Sequence, residues 1–335
     1  MITRVVVAHT KEGVNLSSVS IPDLGDSDVL VHTVYSAIST GTERWVISGQ
    51  FHAPGEPPMA HPLVPGYQKV GTVMAVGSDV KDLSIGQWVF ATSSMMDDPN
   101  ASRGWGGHIE HSVQHQNEVI PLPADIDPMA AAGLVLTQVG FNGGSRPPVN
   151  DGDRAIVVGD GLVGQWLAQT LRHRGAHVVL VGRRPDRLAL AEKYSADVVA
   201  NSHDTSLEEV AAEHGPDGFA IIGDTVGTAE SVESLLRLVG HNGNLILNGY
   251  YREGQHLLSI NQLHGREVTV HSPSGWSRDR LTATLELVAA GALKTSELTT
   301  HIFDAEAASD AYDLVLNKPE PFLGIVIKWR EPPGV

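Results

Sequence analysis

The sequence predicts an α/β protein in which a doubly wound parallel sheet is joined to an irregular β-barrel. Three observations carry that expectation. Residues 1–125 are rich in Val, Gly, Pro and turn pairs, and their apolar runs are short. From about Pro128 onward, apolar runs alternate with Ala- and Leu-rich stretches of helical length. One of those runs, Ala155-Ile156-Val157-Val158, passes directly into the glycine turn Gly159-Asp160-Gly161-Leu162-Val163-Gly164.

The elements follow in order. Residues 28–35, 71–76 and 87–92 read as strands bounded by turn residues, the texture of a small barrel. Residues 154–159, 178–182, 197–200, 219–223 and 244–249 read as buried strands, with a helix at 165–174 between the first two. Strands alternating with helices imply a parallel sheet with right-handed crossovers. Beyond Val268 the pattern predicts a helix at 278–290, a strand at 298–303, a helix at 305–316 and a last strand at 323–329. The expected division is therefore a barrel at 1–125, a dinucleotide-binding domain at 126–268, and a return to the first domain at 269–335.

Composition narrows the function. The chain has 335 residues, 41% of them hydrophobic, which suits two soluble domains with ordinary cores. A formal charge of −16 argues against nucleic acid or an anionic membrane as partner and leaves a small-molecule substrate. The N-terminus lacks the pattern of a secretory signal and no apolar stretch has membrane-span length, so a cytoplasmic location is expected. With no cysteine, disulfides, thiolate nucleophiles and every Cys-containing zinc site are excluded.

The glycine turn names a ligand class. In a strand–turn–helix–strand setting, Gly159 allows the tight turn, Gly161 the close approach of a pyrophosphate, and Gly164 the packing of helix on strand. The anion then sits on the backbone N–H groups opening the helix, at Leu162 and Val163. An NAD site places Asp or Glu at the end of the second strand to accept from the ribose hydroxyls. This chain has Gly182 there, followed by Arg183 and Arg184, whose guanidinium groups suit a ribose 2′-phosphate. NADP(H) is the expected cofactor; the alternative is that both arginines are solvated at a helix entrance, with Asp186 as a local partner. Gly223-Asp224-Thr225-Val226-Gly227 and Asn248-Gly249-Tyr250-Tyr251 end two further strands, where open α/β sheets hold ligands. Thr225, Gly249 and Tyr250 are thus expected beside ribose and nicotinamide. Tyr250 and Tyr251 are candidates to cover nicotinamide or substrate, with Arg252 and Trp276 shaping the pocket.

Barrel, dinucleotide domain and C-terminal return together resemble the medium-chain dehydrogenase/reductase superfamily over essentially the whole chain, with a GroES-like barrel and a Rossmann domain. Ile38-Ser39-Thr40-Gly41-Thr42-Glu43 resembles the Cys-Gly-Thr-Asp segment of its zinc alcohol dehydrogenases, and Pro65-Gly66-Tyr67-Gln68-Lys69-Val70-Gly71 resembles their Gly-His-Glu segment. On that resemblance Thr40, Tyr67 and Gln68 stand where zinc-binding Cys, zinc-binding His and the adjacent Glu are expected. Residues 93–105 hold no ligand of the structural-zinc lobe. Ser39 to Arg44 with Pro65-Gly66-Tyr67, and the later Thr300-His301 and Lys328-Trp329-Arg330, are similar to a zinc-free branch containing bacteriochlorophyllide a dehydrogenase. That branch acts on a secondary alcohol attached to a large ring, and its known member prefers an acidic residue where this chain has Gly182-Arg183. The resemblance also implies a homodimer.

Without zinc, the oxyanion that forms beside the hydride-accepting carbon needs hydrogen-bond donors, and its proton must come from a side chain. Tyr67 is the first candidate, because it replaces a metal ligand and a phenol donates directly. Thr40 and Thr42 are candidates to relay a proton or orient the substrate. Glu43 is a candidate acid or base, or else an ion-pair partner of Arg44 or Lys69. His108 and His111 are the closest suggestive histidine pair, and are expected to be surface or packing residues. The expected activity is zinc-independent, NADP(H)-dependent interconversion of a ketone and a secondary alcohol, on a cyclic or bulky substrate. A quinone or enoyl reductase and a dinucleotide-binding protein without turnover are the alternatives.

Overall fold

The computed structural model describes every residue except 11–12, 52–56, 58, 252–258 and 333–335. Arg252 therefore lies outside the described residues. The chain divides into two units: Met1–Val135 with Thr299–Val335, and Leu136–Leu298.

The first unit opens with an antiparallel pair, β1 (Ile2–Thr10) and β2 (Gly13–Ser20). β3 (Asp28–Ile38) is its longest strand, followed by the short helix α1 (Thr42–Ile47), β4 (Gln68–Val76), β5 (Trp88–Thr92), β6 (His111–His115) and β7 (Val119–Pro121). β3 is the hub: β4 and β6 both pair with it antiparallel, and β4 continues to β5 and β7. The predicted strand at 28–35 is the first part of β3, that at 71–76 the last part of β4, and that at 87–92 covers β5. Helix α2 (Leu134–Gly144) then leads into the second unit.

That unit is a six-stranded parallel sheet. Its strands are β8 (Arg154–Val158), β9 (His177–Gly182), β10 (Val198–Asn201), β11 (Phe219–Asp224), β12 (Val239–Leu247) and β13 (Thr269–His271), in the order β10-β9-β8-β11-β12-β13. This is the doubly wound order, with its switch between β8 and β11. The central strands are apolar throughout because helices cover both faces: Ala155, Ile156 and Val157 are fully buried, as are Val178, Val179 and Leu180. The crossover helices are α3 (Leu162–His173), α4 (Pro185–Tyr194), α5 (Leu207–His214) and α6 (Ala229–Leu236), followed by α7 (Ile260–Gly265) and α8 (Arg278–Ala289). α3 begins three residues before the expected 165, so that Leu162 and Val163 form its first turn.

The chain re-enters the first unit at Thr299, not at 269, because β13 extends the parallel sheet and belongs to the second unit. The expected boundaries at 125 and 268 move accordingly, to 135 and 298. β14 (Thr299–Asp304) and β15 (Gly324–Lys328) complete the first unit's sheet, with β15 antiparallel to β3. Between them α9 (Ala308–Asn317) buries Ala311, Tyr312 and Val315 against Ile38, Val46 and Ile47. No helix among the described residues is long and apolar enough to cross a membrane.

Candidate functional site

In the second unit two glycines of the turn, Gly159 and Gly164, have the conformation and packing expected of them. Gly159 has φ +120°, and a Cβ there would lie 2.2 Å from Thr225 Oγ1. A Cβ on Gly164 would lie 1.9 Å from the Gly159 carbonyl, so only glycine lets α3 pack so close to β8. Gly161 differs: a Cβ there would meet no atom of the chain within 4 Å. It is the N-cap of α3 and offers no side chain to the first-turn N–H groups at Leu162, Val163 and Gly164, which leaves them for an anion.

Asp160, between the first two glycines, is the feature sequence reading passed over. Its buried carboxylate bends toward the end of β9. There Oδ2 accepts from the backbone N–H of Arg183 at 2.8 Å and of Arg184 at 2.9 Å. Oδ1 lies 3.6 Å from Arg187 Nη1, and burial holds that guanidinium below its ordinary pKa. A Cβ on Gly182 would fall 2.5 Å from Asp160 Cβ. Gly182 is thus glycine for a steric reason: the carboxylate expected at this position in an NAD site is displaced by one from the preceding turn. Arg183 is exposed at this corner, whereas Arg184 is half-buried with Nε 3.5 Å from Asp186 Oδ1, the local partner anticipated for it.

Across the switch, Thr225 Oγ1 donates to the Val158 carbonyl at 3.0 Å and ties the end of β11 to that of β8. The fully buried Asp224 fixes the following turn, accepting from Gly227 N at 3.0 Å, Ser231 Oγ and Tyr251 Oη, the last two at 2.6 Å. Tyr251 is therefore a structural brace and not a free cover for a ligand; burial, then the Asp224 charge, raise its pKa. Gly249 packs on Gly227, where a Cβ would lie 2.6 Å from Gly227 Cα, and Tyr250 stands exposed beside it.

In the first unit the residues singled out by sequence converge on a buried polar network. The left-handed Gly66 turn presents Tyr67, and a Cβ on Gly66 would strike the His108 ring at 2.5 Å. Gly107 N donates to the Pro65 carbonyl at 3.1 Å, and a Cβ on Gly107 would lie 2.3 Å from Tyr67 N. These two glycines let the His108 segment pass directly against the Tyr67 turn. The phenol is buried, edge-on to Trp105 with ring centres 5.4 Å apart, and Trp105 in turn meets Phe51 edge-on at 5.5 Å. Burial raises the Tyr67 pKa, the nearby hydroxyls of Ser39 and Thr42 oppose that rise, and the Glu43 charge adds to it. The group is a neutral phenol, able to donate. Thr40 and Thr42 are both half-buried at the entry of α1.

Glu43 pairs with neither Arg44 nor Lys69, contrary to the ion-pair expectation. Its Oε1 accepts from Ser39 N at 2.7 Å; its Oε2 takes His108 Nε2 at 2.9 Å and the Tyr312 hydroxyl. His108 continues through Nδ1 to Ser36 Oγ at 2.8 Å, and Ser36 Oγ accepts from Trp329 Nε1 at 2.9 Å. With its oxygen taking the indole proton, Ser36 is free to donate to Nδ1, which leaves an Nε2–H facing Glu43. Glu43 and His108 are both fully buried, so Glu43 is removed from direct contact with a substrate and acts as a fixed negative charge behind Ser39 and Tyr67. Lys69 is also fully buried: its ammonium donates to the Ser93 carbonyl, and desolvation lowers its pKa to about 7. His108 proves to be a core residue of the network and His111 a half-buried strand residue, so the two do not act as a pair.

Comparison with known proteins agrees with both halves. The model for the alcohol dehydrogenase GroES-like domain matches residues 25–124, and that for zinc-binding dehydrogenases matches residues 163–290. The chain is 25% identical over 332 residues to a 2-desacetyl-2-hydroxyethyl bacteriochlorophyllide A dehydrogenase of Cereibacter sphaeroides, covering 98% of this chain and 99% of that protein. It is 27% identical to an NADP-dependent isopropanol dehydrogenase of Entamoeba histolytica, covering 92% and 91%. Among solved structures, one from Sinorhizobium meliloti bound to NADP aligns with a TM-score of 0.84 at 20% identity, covering 98% of this chain and 99% of that one.

Proposed function

Because the chain belongs to the medium-chain dehydrogenase/reductase superfamily and is an alcohol dehydrogenase-like oxidoreductase linked to a nicotinamide dinucleotide, we propose that it interconverts a ketone and a secondary alcohol with NADP(H), without a catalytic metal. The observation that carries this reading is the buried, neutral Tyr67 phenol backed by Ser39, Thr42 and the Glu43 carboxylate.

The donor set at the positions matched to zinc ligands does not fit zinc. Thr40 offers an uncharged hydroxyl, and Tyr67 a phenol that burial keeps protonated. Gln68 uses its amide oxygen to accept from Val135 N at 3.0 Å and its amide nitrogen to donate to the Ala37 carbonyl. Zinc sites take imidazole, thiolate or carboxylate ligands, and the nearby Glu43 carboxylate already has three donors.

In the reductive direction a nicotinamide cofactor held by the Gly159–Gly164 turn would supply hydride to the carbonyl carbon, and the carbonyl oxygen would take up the electron pair of its π bond. Tyr67 donates a hydrogen bond to that oxygen and then its proton, leaving a phenolate held by the Ser39 and Thr42 hydroxyls. Reprotonation from solvent by way of Thr42 or Thr40 completes the cycle; the oxidative direction is the reverse. Glu43, fixed by His108 and Tyr312, disfavours the phenolate and so returns the proton readily. Thus Tyr67 is the proposed catalytic acid, Thr40 and Thr42 relay or orient, and Glu43 is a positioning residue.

On the cofactor side, Gly159, Gly161, Leu162, Val163 and Gly164 are proposed to cradle the pyrophosphate, and Gly182, Arg183 and Arg184 the adenosine ribose with its 2′-phosphate. Thr225, Gly249 and Tyr250 would border the nicotinamide ribose and ring. The exposed Arg183 and half-buried Arg184 at this corner support NADP(H), since guanidinium groups suit a ribose 2′-phosphate. The cyclic or bulky substrate follows the bacteriochlorophyllide dehydrogenases among the relatives. Two variants test the assignment. Tyr67→Phe should lower kcat about 10²–10⁴-fold with NADPH affinity unchanged, the range of general acid catalysis; unchanged turnover removes Tyr67 from the mechanism. Arg183→Ala should weaken NADPH far more than NADH, and equal effects would sink the 2′-phosphate site.

A further inference from the structure

We propose that His32, His111 and Glu110 form a binding site for a divalent transition-metal ion on the first unit, separate from the reaction chemistry. They are the one group of three His, Asp or Glu among the described residues whose ligand atoms all lie within 4.8 Å of one another.

The strands put them there. His32 on β3 and His111 on β6 are direct cross-strand partners in an antiparallel pair, so their side chains leave the same face with Cβ atoms about 5 Å apart. Their rings stack with centres 4.2 Å apart at 23°. One ring nitrogen of each lies within 4.8 Å of the other and of a Glu110 oxygen, and modest ring rotations turn both lone pairs toward a shared ion. Glu110 supplies the third ligand from the residue entering β6, and its backbone is pinned on both sides: its N–H donates to the Arg4 carbonyl at 2.9 Å and its carbonyl accepts from Thr33 N at 2.8 Å. One of its oxygens lies 3.8 Å from His111 Nδ1. Tetrahedral zinc places ligand nitrogens and oxygens a little over 3 Å apart, at bond lengths of about 2.0–2.2 Å. Small side-chain rotations close the present gap.

The surroundings already supply the outer contacts that such ligands need. Thr3 Oγ1 accepts from His111 N at 2.9 Å and so fixes the backbone of that ligand. Arg4 grips Glu110 through two nitrogens at 2.9 and 2.7 Å and also reaches Glu306, so the carboxylate is oriented while each oxygen keeps a lone pair. The positive groups facing the pair are Arg4 and Arg330, whose repulsion sets an upper bound on affinity; Glu110 and Glu306 offset it. The site is not the candidate chemical one. Ser36, which anchors His108, lies four residues further along β3, about 13 Å away at strand rise. The ion would clamp β3 to β6 without touching the Tyr67 phenol.

The test uses the full chain, stripped with EDTA and titrated with Zn²⁺ by calorimetry, with melting temperature followed in parallel. The expected result is saturable binding that raises the melting temperature, with affinity reduced at least tenfold in both His32→Gln and His111→Gln. Because sixteen histidines offer other weak sites, binding that persists undiminished in both variants overturns the proposal, as does the absence of saturable binding by the wild type. NADPH binding by the variants, read from nicotinamide fluorescence, verifies their fold. This readout does not involve turnover, so it stands or falls apart from the proposed reaction.

Discussion

Replacing Gly182 by Asp is the obvious way to turn an NADP site into an NAD site, and the structure predicts that here it fails. The new Cβ would sit 2.5 Å from Asp160 Cβ, a separation that moving only the end of a side chain cannot relieve. Asp160 must turn away, giving up its bonds to Arg183 N and Arg184 N. Hydrogen bonds to a charged group are worth about 1.5–3 kcal/mol each, so their loss costs roughly 3–6 kcal/mol before any repulsion between the two carboxylates. At about 2–4 °C per kcal/mol the melting temperature should drop by roughly 6 °C or more. Binding of both cofactors should weaken, because the same turn carries Gly161 and the N-terminus of α3. The double variant Asp160→Gly/Gly182→Asp removes the clash, and should regain stability while shifting preference toward NADH. Thermal melts and KM for each cofactor provide the assay. A single Gly182→Asp variant that melts like the wild type and prefers NADH would refute this account of the corner.

Two further substitutions probe the first unit. Lys69 has its pKa lowered to about 7 from the ordinary 10.5, so between those values the unfolded chain holds the proton more tightly and stability rises with pH, levelling off below about 7 with the penalty fully present. Lys69→Met should flatten that slope and be the more stable protein at pH 6, by up to about 5 kcal/mol if the full shift of 1.36 kcal/mol per unit is recovered, less about 1 for the lost bond to Ser93; urea unfolding at pH 6 and pH 9 with parallel slopes for both proteins would contradict this. Glu43→Gln keeps the shape but turns an acceptor into a donor opposite Tyr312 or His108, and should cost about 2–4 kcal/mol while leaving NADPH affinity, proposed to rest on the second unit's glycine turn, unchanged. An unaltered melting temperature would show that the network is not structural.

What was legible in the sequence was what local chemistry encodes. The glycine turn, most of the strands around it and the parallel, doubly wound class of the sheet followed from short-range patterns, and Gly159 and Gly164 have the turn and packing roles their spacing implied. What sequence reading missed depends on contacts between distant residues. Glu43 meets His108 from 65 positions away and Tyr312 from 269 away, so the nearer charges, Arg44 and Lys69, were the natural but mistaken partners. Lys69 gave no sign of burial, because a lysine in a strand ordinarily faces water. Asp160 did leave a trace: an acid between two glycines, followed 22 residues later by a glycine where an acid is expected. The domain boundary shifted because the final parallel strand, three residues long, is too short to register as a pattern.

The central claim is ketone reduction by Tyr67 without a catalytic metal, and the most direct measurement is turnover by EDTA-stripped protein with NADPH and a panel of cyclic and aryl ketones, quinones and enones. Running the His32→Gln variant alongside keeps any zinc on the barrel from confusing the result. The account predicts secondary alcohols as products, formed at the same rate before and after stripping. Activity that vanishes with EDTA and returns with zinc in both proteins would contradict it, as would saturated ketones from enones with no alcohol formed.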